Sequence, residues 1–252
     1  HVPHVSRHRR NYTRESNRWI CSSHTFSRLS LPGCCTRWYH SPGHRRGGFG
    51  EDAGPVCGIA GIMRTGGEAV PPGQVEAMVA TLRHRGPDGD GAYFAPGIGF
   101  GHTRLAIIDL TTASDQPFVD DFANLSLIFN GEIYNYVELR QELRDLGHVF
   151  RSTGDTETVL RAYQEWGTGC LQRLNGMFSF ALWDGRKREL FLARDRFGEK
   201  PMYIARTARG VVFASEMKAI LAVRPELRVP NRKVVFRYVS RGDLDLDHET
   251  FF

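Results

Sequence analysis

The pattern of apolar residues changes abruptly at Cys57, and that change decides where a fold can begin. Over residues 1–56, Trp19, Ile20, Phe26, Leu29 and Leu31 are scattered with neither a two-residue nor a 3.6-residue repeat. From Cys57 onward periodic segments follow one another closely. An apolar run at 57–63 predicts a first strand. Pro71 and Pro72 then sit where a helix begins, and Val75, Met78, Val79 and Leu82 recur at the spacing of one helical face, predicting a helix over 73–82. A charged, glycine-bearing loop (83–91) leads to short strands at 92–94 and 98–102 joined by a Pro-Gly turn. A further strand is predicted at 105–110.

An apolar strand at 125–129 is followed by a second helix carrying Tyr136, Leu139, Leu143 and Leu146, with Asn135 as its cap and Gly147 as its stop. A third helix is predicted over 156–166, capped by Asp155 and ended by Gly167, with Val159, Leu160, Tyr163 and Trp166 on its buried face. Strands return at 177–183, 189–193, 202–205 and 211–214, with turns at Asp184-Gly185 and Arg209-Gly210, before a short helix at 216–222. Strands grouped in runs and helices grouped in runs predict an α+β fold, antiparallel sheets with helices packed outside them.

Charge divides at the same place. Residues 1–56 hold nine Arg, no Lys and three acidic residues, a net +6. The whole chain carries +5, so residues 57–252 sum to −1. The basic balance therefore does not argue for nucleic-acid binding by the folded part. No apolar run reaches the ~18 residues of a membrane span. Cys21, Cys34 and Cys35 lie before Cys57, and only Cys57 and Cys170 lie at or beyond it. Without a CxxC pair or a regular framework, neither a disulfide scaffold nor a metal site is indicated. That usage suits a reducing compartment, and a cytoplasmic location is expected.

Residues 1–56 are expected to form a disordered leader outside the mature protein, since they cannot bury enough apolar surface to offset the entropy of ordering. A transit peptide and a basic arm are two readings of this Arg- and Ser-rich stretch. Translated upstream sequence is favoured over both: the chain starts with His1, has no Met before Met63, and places Val56 directly before Cys57. Gly48-Phe49-Gly50 with Ala53 lacks the strand and helix a dinucleotide site needs and is set aside.

Cys57 is the sharpest chemical feature. A cysteine at a mature amino terminus combines a thiol with a free α-amine of pKa about 8, which can serve as its base. Read alone, a cysteine before apolar residues is more commonly a buried strand cysteine. Asn130-Gly131, read alone, is a hairpin turn. Arg104 offers a planar guanidinium suited to a carboxylate, or a surface arginine. Glu132 and Asp155 suit an ammonium group, although Asp155 also suits a helix cap. His84 and His102 read as structural, and Cys170 as a core residue.

The motifs taken together narrow these choices. Cys57-Gly58-Ile59-Ala60-Gly61-Ile62 is followed by Arg83-His84-Arg85-Gly86-Pro87-Asp88-Gly89 and then His102-Thr103-Arg104-Leu105-Ala106-Ile107-Ile108-Asp109-Leu110. Gln116-Pro117, Phe129-Asn130-Gly131-Glu132-Ile133-Tyr134-Asn135 and Gly154-Asp155-Thr156-Glu157 come next. In this order they resemble class II glutamine amidotransferases, whose glutaminase domains are N-terminal nucleophile hydrolases. Asn175-Gly176-Met177-Phe178, Arg194-Asp195-Arg196-Phe197-Gly198-Glu199-Lys200-Pro201 and Phe213-Ala214-Ser215-Glu216 resemble the asparagine synthetase branch.

The resemblance covers residues 57–252. It implies a four-layer αββα sandwich, two antiparallel sheets flanked by helices. It implies Cys57 as nucleophile, with the Asn130 side-chain amide and Gly131 N–H as an oxyanion hole. Glutamine would be held by Arg104 at its α-carboxylate, by the Leu105, Ala106, Ile107 and Ile108 backbone, and by Glu132 and Asp155 at its α-ammonium. No cofactor is expected for glutamine hydrolysis. ATP and Mg²⁺ belong to a C-terminal synthetase domain, whose Ser-Gly-Gly-Xaa-Asp-Ser motif does not occur here. That domain is the expected partner, and a homodimer is compatible with the resemblance; nucleic acid and membrane are not expected partners. Met202-Tyr203-Ile204 stands where the family more usually has Leu-Tyr-Tyr. Two alternatives stay open: a sugar or cell-envelope acceptor in place of aspartate, and a silent, partner-binding module of the same fold.

Overall fold

The computed structural model describes residues 18–22, 56–242 and 250–252. Most of the expected leader, with the Gly48-Phe49-Gly50 stretch, lies outside the described residues, as does Glu249. Among the described residues, ten strands and five α-helices run in the order β1 (Arg18–Ser22), β2 (Gly58–Arg64), α1 (Pro72–Ala80), β3 (Gly89–Ala95), β4 (Ile98–Arg104), β5 (Phe118–Asp120), β6 (Leu125–Ile133), α2 (Tyr136–Asp145), α3 (Asp155–Trp166), β7 (Gly176–Asp184), β8 (Glu189–Arg194), β9 (Tyr203–Thr207), β10 (Gly210–Ala214), α4 (Met217–Val223) and α5 (Arg232–Arg241).

They form two sheets. One has the order β3-β4-β2-β10-β9 and is antiparallel throughout; the other has the order β1-β8-β7-β6-β5 and is antiparallel except where β1 joins β8. No apolar pattern in residues 18–22 announces β1. It runs parallel to β8 from Arg18 opposite Glu189 to Ser22 opposite Ala193, and such pairing uses backbone groups that no side-chain pattern advertises.

Three apolar layers stack the sheets and helices into four. Between the sheets lie Ile59, Met63, Ile98 and Phe100 from one and Ile128, Ala181, Trp183 and Leu192 from the other. Phe100 and Phe213 meet edge-on there at 6.0 Å between centroids. Outside the first sheet, α1 and α4 bury Val75, Met78, Val79, Ala219 and Ile220 against Ala60, Ile62 and Val212. Outside the second, Leu139 and Leu143 of α2 and Val159, Leu160 and Tyr163 of α3 close over Leu127, Phe129, Phe180 and Leu182. Alternation along each strand sends odd and even residues to opposite faces, so each sheet is apolar on both. This is the expected αββα sandwich.

Several local expectations need correction. Residues 105–110 form no strand. They are a loop whose carboxylate and amide partners come from elsewhere in the chain. Asn130-Gly131 is not a hairpin turn: β6 runs on through both to Ile133, with Asn130 opposite Ser179 and Gly131 opposite Phe178. The N-cap of α3 is Gly154, and Asp155 is the first helical residue. Asn135 occupies the N-cap position of α2 without a side-chain cap. Its Nδ2 donates to Arg173 O at 2.9 Å and its Oδ1 accepts from Asn175 N at 3.0 Å, tying α2 to the start of β7. Helix α5, capped by the Asn231 side chain and closed at Gly242, was not foreseen.

Candidate active site

Cys57 precedes β2 at the end of the sandwich where β4 and β6 also finish. Its Sγ accepts the Leu105 N–H at 3.3 Å and lies 3.5 Å from Leu105 O, so the residue after β4 brackets the sulfur. Its carbonyl accepts from Arg85 Nε at 3.1 Å. Arg85 is held in turn by Glu216 at 3.0 Å, a carboxylate that also meets His84 Nε2 at 2.8 Å and Lys218 Nζ at 3.0 Å. The charged 83–91 loop thus reaches Cys57 through Arg85.

Burial pushes the Cys57 thiol above its ordinary value. The Leu105 hydrogen bond opposes this, the negative charge of Asp155 adds to it, and Arg104 and Arg85 offset part. The sulfur therefore rests as a thiol at neutral pH and needs a base to become a nucleophile. His102 does not supply one. It is buried, and desolvation pulls its imidazole down to about 3. Its Nε2 faces the Phe129 carbonyl at 3.3 Å, which fixes the proton on Nε2.

An open cleft of about 580 Å³, counting space shared with solvent, lies beside the sulfur. Its walls include Cys57, Arg104, Leu105, Ala106, Ile107, Ile108, Asn130, Gly131, Glu132 and Asp155, so one cavity gathers the residues that the resemblance implies for nucleophile, oxyanion hole and glutamine, while His84, His102 and Cys170 lie outside its lining. Val56, Asp109, Ser114, Gln116, Phe129, Gly154, Thr156 and Lys200 also line it. Gly154 and Thr156 stand inside a quoted motif, and Gln116 begins another. Lys200 also stands inside a quoted motif, Arg194–Pro201, to which the sequence assigned no place in the cleft.

The 105–115 wall is fixed by a buried carboxylate. Asp109 accepts from Thr111 N and Oγ1 at 2.9 and 2.6 Å, from Ser114 Oγ at 2.8 Å, and from Thr153 N and Oγ1 at 2.9 and 2.8 Å. Burial raises this carboxyl, but the threonine hydrogen bonds outweigh it and leave it well below the usual carboxylate range. Asp88 Oδ2 anchors Ala106 N at 2.8 Å. Arg104 is engaged as well: Nη1 pairs with Asp115 at 2.6 Å, and Nη2 donates to Asp109 O at 2.6 Å and Thr111 O at 3.0 Å. Three of its five N–H donors are used in this way.

Asn130 is buried, and its Nδ2 has no hydrogen-bond partner among the described residues. A buried, unsatisfied amide on a cleft wall is costly unless a ligand uses it. Gly131 beside it tolerates no side chain, since a Cβ would meet Met177 O at 2.2 Å across the sheet. Close strand contact therefore requires glycine here, before any contact with a ligand is considered. Asp155 is raised to about 6 by burial and by nearby Glu132, against the pull of the Ile133, Asp155 and Thr156 amides.

The sequence profile of the glutamine amidotransferase domain matches residues 56–252. The chain belongs to the glutamine amidotransferase domain family. A Bacillus subtilis protein named glutamine-hydrolysing asparagine synthetase 3 is 40% identical over 176 residues, covering 69% of this chain and 28% of its own. A Mycobacterium tuberculosis protein, provisionally named a glutamine-hydrolysing asparagine synthetase, is 46% identical over 182 residues, covering 66% and 28%. This amidotransferase chain thus spans little more than a quarter of those relatives. In structure it is similar to the B. subtilis glutamine phosphoribosylpyrophosphate amidotransferase, with a TM-score of 0.57 at 22% identity, over 67% of this chain and 44% of that one. This last likeness speaks for the fold of the amidotransferase domain alone.

Proposed function

We propose that this amidotransferase domain hydrolyses L-glutamine to glutamate and ammonia through a thioester on Cys57. The α-amine of Cys57, directly or through water, takes the thiol proton. The thiolate attacks the side-chain amide carbon of glutamine, and negative charge develops on the amide oxygen. The Asn130 side-chain amide and the Gly131 N–H receive that charge, each such donor contributing about 3–4 kcal/mol. Collapse breaks the C–N bond; the leaving nitrogen takes the proton from the α-ammonium and departs as ammonia. Water then attacks the thioester, releasing glutamate and restoring the thiol. Arg104 holds the α-carboxylate through a donor not used by Asp115, Asp109 or Thr111, while Glu132 and Asp155 hold the α-ammonium, beside the 105–108 wall.

The observation that carries this reading is the unpartnered Asn130 amide on the cleft that contains the Cys57 sulfur. The relatives are named glutamine-hydrolysing asparagine synthetases, and on that footing the ammonia is proposed to pass to an activated aspartate in a synthetase domain that would use ATP and Mg²⁺; a cytoplasmic setting suits the free thiols Cys57 and Cys170. Among the described residues no helix is long and apolar enough to cross a membrane.

A second reading, a silent partner-binding module, is favoured by one feature: in the sequence as written Val56 acylates the Cys57 nitrogen, which removes the base. Both readings meet in one experiment. Ammonia release from L-glutamine is measured for a protein whose amino terminus is Cys57, for its Cys57→Ala variant, and for a chain retaining Val56. Activity in the first alone is expected. Equal release by the parent and the alanine variant removes Cys57 from the mechanism, and an intact mass that begins at His1 in the natural host supports the silent module.

A further inference from the structure

Strand β6 reaches the cleft with one edge unpaired. Its pairing with β7 covers Leu125 through Ile133, but on the other side β5 pairs only with Leu125 through Leu127. Antiparallel strands send the N–H and C=O of alternate residues to alternate sides. The Phe129 and Ile133 N–H groups both go to side chains and not to β7, so Gly131, midway between them and of the same parity, presents its backbone groups to that same side, beyond the end of β5. Continued in register, Pro117 would face Ile128 and Gln116 would face Phe129. Pro117 has no N–H to give a ladder. Gln116 supplies a side chain instead: its Oε1 accepts the Phe129 N–H at 2.6 Å, and its Nε2 reaches Thr156 Oγ1 at 3.4 Å. The Phe129 carbonyl accepts from His102 Nε2 at 3.3 Å, reaching across from β4 of the other sheet. Four residues along the same edge, Asp155 Oδ2 accepts the Ile133 N–H at 3.0 Å. The two outer N–H groups are thus capped by side chains, and the Gly131 N–H between them is left facing the cleft.

We infer that Gln116 and His102 are positioning residues, gripping the Phe129 peptide from both ends and so setting where the next two residues, Asn130 and Gly131, present their donors to substrate. This rests on the glutaminase reading above. Oxyanion donors act only when already aimed at the developing charge, and at this point β6 is held by β7 on one edge only, with no strand on the edge that faces the cleft. Both gripping residues are neutral, which suits this place: an ion here would alter the field felt by the oxyanion.

Gln116→Met keeps the volume and removes the acceptor. In the mature protein with Cys57 at its amino terminus, kcat for ammonia release is expected to fall about 100-fold, the size of loss that follows a misplacement of about 1 Å. KM for glutamine should stay near the parent value. Alkylation of Cys57 by iodoacetamide, which displaces iodide without forming an oxyanion, should keep its rate. Loss of alkylation in proportion to kcat, or an unchanged kcat, overturns the assignment. Should the methionine variant fail to fold, amide hydrogen exchange in the parent decides: Phe129 and Ile133 protected with Gly131 exchanging fast supports it, and Phe129 exchanging as fast as Gly131 overturns it. A correctly matured parent that releases no ammonia overturns the glutaminase reading and this inference with it, so the two failures are told apart by the parent alone.

Discussion

Asp155 Oδ2 accepts the Ile133 N–H at 3.0 Å while its carboxyl stays on the wall of the cleft that holds Cys57. One residue thereby ties α3 to β6 and places a charge where an ammonium would bind. The cost is visible in its acidity, which burial lifts to about 6. The charged form is the one that binds an ammonium, so KM for glutamine should rise as pH falls through about 6. The sign for stability is opposite. A carboxyl raised on folding stabilises the protein at low pH, and that contribution is lost as pH rises from its ordinary value of 3.8 through about 6. Asp155→Asn should therefore weaken glutamine binding yet unfold at higher urea than the parent at pH 7, by ~1–3 kcal/mol. Urea titrations at pH 4 and pH 7 check it; a variant less stable than the parent at pH 7 would refute the cause assigned.

Asn130→Ala separates function from stability in another way. The Asn130 Nδ2 has no partner among the described residues, so the folded protein loses no hydrogen bond from it when it is removed. Catalysis loses one oxyanion donor, worth a factor of about 100–1000 in kcat. Ammonia release should collapse to that extent while the thermal midpoint stays near the parent value. A variant that melts early in step with its lost activity would mean that the amide serves packing.

Much of this site was legible because the chemistry of short motifs survives translation into space. Arg104, Glu132 and Asp155 are far apart in the chain and line one cleft, as their motifs implied. The failures have a common cause. Asn130-Gly131 carries the local signature of a hairpin, yet β6 continues through it because β7 pairs with every residue to Ile133 and no local rule sees that partner. Residues 105–110 are apolar enough for a strand, but Asp109 collects five hydrogen bonds and folds the segment into a loop. Asp155 reads as a helix cap, and its carboxyl does meet the first amides of α3, but as the first helical residue it also bonds Ile133 of β6, a partner that no local rule sees. Gln116 and His102 act on a backbone peptide more than ten residues away, a relation that periodicity cannot carry. Helix α5 follows a cap, Asn231, that is clear only in hindsight.

The Asp109 hub makes its own prediction. Asp109→Asn keeps the shape but replaces one accepting oxygen by an amide that donates, among partners that are themselves donors: Thr111 N, Thr153 N and three hydroxyls. The two N–H groups cannot reverse. The 105–115 wall should loosen, with KM for glutamine rising more than kcat falls and a stability loss on the order of 1–3 kcal/mol. Steady-state kinetics alongside urea unfolding would show it; an unaltered KM would mean that the wall is held by Asp88 and Arg104 alone.

Glu216 should respond to pH in the sense opposite to Asp155. Burial raises its carboxyl, but hydrogen bonds from Lys218, Arg85 and His84 prevail and leave it below its ordinary value. A carboxyl lowered on folding contributes stability above its ordinary value of 4.5, and that contribution disappears as pH falls below it. Glu216→Gln should cost on the order of 1 kcal/mol at pH 7, discounted for a side chain still 24% exposed, and progressively less below pH 4.5. The chemistry should feel the change through Arg85, whose Nε holds the Cys57 carbonyl: with its carboxylate partner gone the guanidinium is freer, and iodoacetamide should report a changed thiol reactivity. Parallel urea titrations of parent and variant from pH 3.5 to pH 8 decide the matter. A stability gap of constant size across that range would show that Glu216 acts by shape and not by charge.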